Sequence, residues 1–246
     1  MTEIAMTRNP EPAKDQRAAT GLPELDGMLE GGFPSGSLIT LTGRPGTGKT
    51  IFGSQFLYHG AKKDKEPGMY VSMLEGEKAY LRNVRRIGLD LEPLAAQKNF
   101  FFLELPAPTP EGLPILWEQI AREIQEKQVE RLVIDSFTAM APAFQTVGDL
   151  RTFTHVLLGK IVGASGCTTL MITEEGRGGA YASNGVEEFV ADGVIHFNLV
   201  AAGDARVRYI EITKMRGTNH QMGPIPIDIG PRGIRIVHPH VRGNIG

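Results

Sequence analysis

Cysteine is nearly absent from this chain, because Cys167 is the only one among 246 residues. An intrachain disulfide is therefore excluded, and so is a metal site built from several cysteines. An excess of one charge is also lacking, since 26 lysines and arginines face 28 aspartates and glutamates, for a net charge of −2. This balance argues against a dedicated nucleic-acid binder, whose affinity depends on clustered lysine and arginine.

Long hydrophobic runs are missing as well. No apolar run approaches the ~20 residues of a membrane span, and no charged-then-apolar signal sequence opens the chain. We therefore expect a cytoplasmic protein that makes no contact with a membrane.

The pattern of apolar residues predicts an α/β fold. Strand-length apolar runs alternate with amphipathic helices, one of them around Leu150 and Ile161, as far as Ile172. The remainder is strand-rich, which favours a mostly parallel β-sheet flanked by helices, with an antiparallel C-terminal extension. We expect a flexible segment at residues 1–18, one domain at 19–238 and a tail at 239–246.

One motif dominates the sequence: residues 43–50 (GRPGTGKT) fit the phosphate-binding pattern G-x-x-x-x-G-K-[ST]. A β-favouring run precedes it and helical spacing follows, so the loop is predicted to join a strand to a helix N-terminus, where anions bind. The alternative is an ordinary glycine-rich turn. The predicted ATP-binding residues are Gly43, Pro45, Gly46, Thr47, Gly48, Lys49, Thr50 and Ile51, with Lys49 on the β/γ-phosphates and Thr50 on Mg²⁺.

Two carboxylates are candidates for the accompanying chemistry. Asp135 ends the apolar run Leu132-Val133-Ile134 and is the predicted Mg²⁺ partner of Thr50, unless it only caps the next turn. The apolar run that ends at Met73 is expected to be a strand beside the strand that leads into residues 43–50, the P-loop. Glu75 follows that run, so Glu75 is the predicted catalytic base. Alternatively, Glu75 and Glu77 lie at the start of a helix, where the helix dipole favours carboxylates, and have no catalytic role. Glu174 and Glu175 are weaker candidates for the catalytic base.

Several segments resemble the KaiC and RadA branch of RecA-type ATPases, and two of them are specific to single-domain KaiC-like proteins. The resemblance extends from Thr20 to Val237. The segments are Thr20-Gly21 with Leu25-Asp26, residues 31–36 (GGFPSG), 55–58 (QFLY), 185–192 (GVEEFVAD) and 214–220 (KMRGTNH), the last two being the specific ones.

The resemblance implies a RecA-like core, ATP hydrolysis and a homohexameric ring with nucleotide at the subunit interfaces. It assigns Lys214 and Arg216 to the γ-phosphate held by the adjacent subunit, and Met215, Thr218 and His220 to the same nucleotide. Strand alternation places the two cations on one face, which a solvated strand face would also explain.

Two departures from the family pattern bear on activity. Leu74-Glu75 stands where the family usually has two glutamates, and Glu188-Phe189 replaces the Ser-Thr pair of the autokinase domain. We therefore expect an ATPase, regulatory or signalling in role, without stable self-phosphorylation. One alternative is a RadA-like DNA-binding repair accessory that uses loops at 141–148 and 174–184. Another is a nucleotide switch with very slow hydrolysis, an alternative that rests on Leu74 in place of one of the usual glutamates.

Overall fold

The computed structural model describes residues 16–106, 108–144, 146, 148, 165–175 and 190–237 of the chain. Outside these ranges lie the helix predicted around Leu150 and Ile161, the Glu188-Phe189 pair, and most of the loop at 174–184. The predicted terminal segments also lie largely outside them, so the predicted domain boundaries stay predictions.

The secondary structure alternates between strands and helices before it becomes all-strand. The strands are β1 (Arg17–Ala18), β2 (Phe33–Pro34), β3 (Leu38–Gly43), β4 (Gly68–Ser72), β5 (Phe100–Glu104), β6 (Arg131–Asp135), β7 (Thr168–Ile172), β8 (Gly193–Ala202), β9 (Ala205–Met215), β10 (Ile225–Gly230) and β11 (Gly233–Ile236). Within the described ranges, the α-helices are α1 (Pro23–Met28), α2 (Lys49–His59), α3 (Glu77–Arg85), α4 (Glu92–Ala96) and α5 (Leu113–Glu126). A π-helical turn, Gly60–Asp64, extends α2, and a 3₁₀ segment, Phe137–Ala143, follows β6.

A nine-stranded sheet forms the centre of the molecule, in the order β11-β10-β9-β8-β3-β7-β6-β4-β5. The strands from β8 to β5 in that order are parallel, whereas β9, β10 and β11 are antiparallel. The predicted mostly parallel sheet with an antiparallel C-terminal extension is therefore confirmed.

The expected position of β4 is wrong. We expected the strand that precedes Glu75 to border the P-loop strand β3, but β7 and β6 lie between them. The chain leaves β3 through α2 and enters the sheet again three positions away, and the later strands β6 and β7 fill the two positions between. Order along the chain does not reveal such a gap, because the strands that fill it come from distant sequence.

The two faces of the sheet are covered by different clusters of apolar side chains. Val133 packs with α2, while its neighbours Leu132 and Ile134 pack with α5 on the other face, as expected for strand alternation. Helix α2 is buried on most sides and α5 along one stripe, which suits an inner and an outer helix. None of the helices in the described ranges combines the length and apolar character that a membrane crossing requires.

One buried side chain connects the antiparallel extension to the P-loop helix. The Nε2 atom of Gln55 on α2 donates to the carbonyls of Gly21 at 3.0 Å and Ile234 at 3.2 Å. The Ile234 amide donates back to Gln55 Oε1 at 2.8 Å. Gly233 is required beside it, because its φ is +84° and a Cβ there would lie 2.3 Å from Gln55 Oε1. The extension is therefore attached directly to the helix that begins at Lys49.

Candidate nucleotide-binding site

The P-loop connects the end of β3 to the start of α2, as predicted. Gly43, Gly46 and Gly48 have φ values of +145°, +80° and +112°, where residues with side chains are strained. A Cβ on Gly43 would also lie 2.2 Å from the Phe197 carbonyl oxygen on β8. The glycines therefore let the loop turn tightly against the sheet and present backbone N–H groups at a helix N-terminus.

Lys49 is the buried cation of the loop. Its Nζ atom donates to the carbonyls of Gly43 at 2.5 Å and Arg44 at 3.0 Å, so the side chain curls over the loop. Burial lowers the pKa of the Lys49 ammonium, while Glu174 and Asp135 oppose that shift by favouring the charged form. The ammonium thus lies where the phosphates of a nucleotide would replace the loop's own carbonyls as its partners.

Thr50 and Asp135 form the hydroxyl–carboxylate pair that the sequence predicts. Thr50 Oγ1 donates to Asp135 Oδ2 at 2.7 Å, and the Tyr70 hydroxyl donates to the same oxygen. Burial, and secondarily the charge of Asp135, raises the pKa of the Tyr70 phenol well above its usual value, so it remains a donor. Hydroxyl and carboxylate oxygens are ligands that suit Mg²⁺. The pair therefore fits the predicted metal role.

A cavity of about 460 Å³ opens over the loop. Its described lining includes predicted nucleotide ligands together with residues that had no predicted nucleotide-binding role. The lining residues are Pro45, Gly46, Gly48, Lys49, Thr50, Ile51, Asp135, Ile172, Glu174, Arg208 and Ile229. Arg208 Nε donates to the Gly46 carbonyl at 3.4 Å, and the Ile229 side chain covers Gly48.

Glu75 lies elsewhere. Its Oε1 accepts a hydrogen bond of 2.6 Å from Asn83 Nδ2 on α3. Together with Leu74 and Glu104 it lines a separate cavity of about 450 Å³. Among the described residues, those that line the P-loop cavity include its rival Glu174 but not Glu75. The role of Glu75 as base stays a prediction, although the reason given for it, a strand bordering β3, is wrong.

The residues assigned to a neighbour's nucleotide lie at the opposite edge of the sheet from the P-loop. Gly43 pairs with Phe197, whereas Ile39 pairs with Gly193, and Gly193 in turn pairs with Met215. Four residues of strand separate the two levels, which corresponds to about 13 Å. The structure therefore does not bring the end of β9, which carries Lys214, to its own P-loop.

At that edge the predicted ligands contact their own subunit. Lys214 Nζ donates to the Ala191 carbonyl at 2.7 Å, and Arg216 pairs with Asp192 at 3.2 Å. Thr218 and His220 follow in the next loop, where Thr218 Oγ1 accepts a hydrogen bond from the guanidinium of Arg17 at 2.6 Å and His220 is half-buried.

Comparison with known proteins agrees with this geometry. The family model described as the KaiC ATPase matches residues 18–241. The chain belongs to the KaiC ATPase family. It is thus a KaiC-like ATPase domain with a RecA-type fold, as the sequence motifs implied.

Relatives within the KaiC family cover most of this chain. It is 35% identical over 230 residues to the circadian clock oscillator protein KaiC of Parasynechococcus marenigrum (strain WH8102), which covers 90% of this chain and 44% of that protein. It is 37% identical over 226 residues to the protein of the same name from Parathermosynechococcus lividus, covering 88% of this chain and 41% of that protein. The chain therefore spans less than half the length of these relatives.

A solved KaiC-like structure matches over nearly its full length. The crystal structure of a KaiC-like protein from the hyperthermophilic archaeon Pyrococcus horikoshii OT3 has a TM-score of 0.81 and 33% identity. The match covers 91% of this chain and 99% of that one.

Among the described residues that line the cavity, Ile172, Arg208 and Ile229 had no predicted role in the site. Arg208 and Ile229 lie in strands without a motif, and only the pairing of β9 with β8 and β10 places them near the loop. A cation in a half-buried strand position carries no local signal that could have identified it.

Proposed function

We propose that this KaiC-like domain binds ATP with Mg²⁺ at residues 43–50 and hydrolyses it within a cytoplasmic homohexameric ring. We further propose that each nucleotide lies between two subunits and that the activity serves a regulatory role. One observation carries the proposal: β9 has Arg208 beside its own P-loop, but its Lys214 end at the opposite edge of the sheet.

This placement supports action between subunits. A γ-phosphate held by Lys49 would lie about 13 Å, measured along the strands, from the level of Met215 in the same subunit. Lys214 and Arg216 therefore suit a γ-phosphate that belongs to another copy. An interface that joins the P-loop edge of one copy to the opposite edge of the next is head-to-tail, and such interfaces generate rings when the rotation closes.

Each residue would have a distinct chemical task. The backbone N–H groups of the loop and Lys49 bind and orient the phosphates, while Thr50 and Asp135 hold Mg²⁺, which neutralises phosphate charge when it is bound. Glu75 or Glu174 accepts the proton of the attacking water. Arg216 of the next subunit stabilises the charge that develops on the transferred phosphoryl group, as arginines supplied from outside a P-loop do.

Mixed rings test the proposal. Arg216→Ala subunits and Lys49→Ala subunits should each be nearly inactive alone. Rings that contain both should recover part of the ATPase activity, because some interfaces pair an intact P-loop with an intact Arg216. Native mass spectrometry would establish that the rings are mixed, and Arg85→Ala, which removes an exposed arginine paired with Glu92, is the matched control. Active monomers, or mixed rings without recovery, would contradict the proposal.

A nucleotide switch with very slow hydrolysis is the second candidate, and the environment of Glu75 favours it. The Glu75 carboxylate accepts a hydrogen bond from Asn83, and the adjacent Leu74 is 74% exposed. Leu74 stands where the family usually has the first of two consecutive glutamates. If the switch is correct, ATP and ADP should give different ring stabilities while a single turnover takes hours. Turnover within seconds to minutes would exclude it.

The DNA-binding alternative concerns the loop at 141–148, which is described except at residues 145 and 147, and the loop at 174–184, which is described only at 174 and 175. It stays a prediction. A salt-dependent binding assay with single-stranded DNA would test it, since contacts to phosphates weaken steeply as salt rises. The expected absence of self-phosphorylation likewise depends on residues outside those described, and intact-mass analysis after incubation with ATP would test it.

A further inference from the structure

We propose that Arg17 is a positioning residue for hydrolysis in the neighbouring subunit. It holds the segment of residues 214–220, named here the finger segment, and thereby sets the position of Lys214 and Arg216 against the neighbour's nucleotide. This inference rests on the proposed function, because it requires the finger segment to act in another subunit.

The guanidinium of Arg17 contacts the finger segment at two points. Its Nη1 donates to Thr218 Oγ1 at 2.6 Å, and its Nη2 reaches the Gly217 carbonyl at 3.5 Å. The same Nη2 pairs with Glu30 Oε2 at 3.3 Å, which orients the group. The Arg17 side chain is only 11% exposed, and its bond to Thr218 is partly shielded from competing water. One fork-shaped side chain therefore joins the finger segment to the N-terminal part of the chain.

Arg17 is itself held firmly by the body of the domain. It lies in β1, paired with Pro34 of β2, and the next residue, Ala18, is buried in the core. Beyond it, the fully buried Arg131 donates to the Ala19 carbonyl at 2.7 Å. The aliphatic stem of Arg17 passes beside Gly31, where an added Cβ would meet the Arg17 Cγ at 3.7 Å. The anchor is thus directly attached to the packed core through Ala18, and the finger segment gains rigidity from it.

The backbone of the finger segment needs such an anchor. It leaves β9 at Met215 and turns through Gly217, which has a φ of +65°. Arg216 N donates to the Asp192 carbonyl at 2.8 Å, but the backbone bonds beyond it are longer. Thr218 N donates to the Met215 carbonyl at 3.3 Å, and Gln221 N, just after the segment, donates to the Met28 carbonyl at 3.3 Å. A displacement of ~1 Å in a catalytic group costs on the order of 100-fold in rate. A side-chain anchor at the turn therefore matters more for turnover than for folding.

The test uses Arg17→Met in the full chain, because methionine keeps the apolar stem but provides no donor. We expect ATP affinity close to wild type and a kcat about 10- to 100-fold lower. Arg17→Lys, which keeps the charge but not the fork, should recover part of that loss. Arg85→Ala removes an arginine of an exposed ion pair elsewhere and is the control for unspecific effects.

Mixed rings then separate positioning from a general structural defect. Arg17→Met subunits have intact P-loops and a displaced finger segment, so they should regain activity with Lys49→Ala subunits but not with Arg216→Ala subunits. A general defect would show no such selectivity. If Arg17→Met does not assemble, Arg17→Gln takes its place in the same mixtures.

The outcomes distinguish the two proposals. If Arg216→Ala and Lys49→Ala subunits complement each other but Arg17→Met and Lys49→Ala subunits do not, the role of Arg17 is overturned and the proposed function stands. Wild-type kcat in Arg17→Met rings would overturn the role of Arg17 as well. If neither mixture recovers activity in demonstrably mixed rings, the proposed action between subunits fails first.

Discussion

The parallel part of the sheet and its antiparallel extension assemble functional residues in opposite ways. Parallel strands end at the same edge, so the P-loop that follows β3, Asp135 at the end of β6 and Glu174 just after β7 converge on one cavity. In the extension, β9 runs against β8, so Arg208 lies at the P-loop edge and Lys214 at the other. Strand direction, rather than distance along the chain, therefore decides which residues can share a nucleotide.

The strongest test of this contrast removes the cation of the parallel region. Lys49→Ala should weaken ATP binding on the order of 100-fold, because the phosphates lose a buried charge partner. Arg216→Ala, in the extension, should change ATP affinity far less. Isothermal titration with a slowly hydrolysed ATP analogue would measure both, and Lys62→Ala is a matched control on an exposed lysine. Unchanged affinity in Lys49→Ala would remove the assignment of the P-loop.

The next test asks which carboxylate of the parallel region acts as the base. Glu75→Gln should keep ATP bound and lower turnover by about 100-fold or more, since an amide cannot accept the proton. Glu174→Gln should then have a smaller effect, and Glu77→Gln, at an exposed helix start, almost none. Steady-state ATPase rates of the three variants would decide. Wild-type turnover in Glu75→Gln together with an inactive Glu174→Gln would move the role to the residue that lines the cavity.

A smaller effect is expected where the two regions are connected. Gln55→Leu would leave the Ile234 amide and two carbonyls without their partner, which should destabilise the domain by about 1–3 kcal/mol. Urea unfolding would measure the loss, with Gln97→Leu as the control at an exposed glutamine. Equal stability of the two variants would mean that the extension does not depend on this connection.

The smallest expected effect is a pH dependence in the parallel region, at the end of α2. Burial, with Lys63 second, lowers the pKa of His59 below its usual 6.5, and Asp64 lies 3.9 Å away. The unfolded chain therefore binds a proton at His59 more readily than the folded chain does. The stability that the folded state gains from neutral His59 is fully present above pH 6.5 and is lost as pH falls toward the folded pKa. His59→Gln should flatten the change in urea midpoint between pH 7.5 and roughly pH 5.5. An unchanged slope would exclude His59 as its source.

Local patterns were sufficient for the nucleotide-binding loop and for the general architecture. The glycines of residues 43–50, the apolar strand before them and the helical spacing after them are short-range features. Each follows from backbone sterics and periodicity within about 20 residues. Asp135 was found for the same reason, since a carboxylate that ends an apolar run is visible without knowledge of the fold.

Only the tertiary structure could decide three features of the molecule. These are the surroundings of Glu75, the position of Arg208 beside the P-loop and the hydrogen bond from Arg17 to Thr218. Strand order depends on which distant segments bury each other's apolar faces, and no window of sequence contains that information. Arg17 and Thr218 are 201 positions apart, and they meet only because β1 and the end of β9 reach the same edge of the molecule. Sterics and periodicity act over a few residues, whereas a shared site requires the whole sheet to assemble.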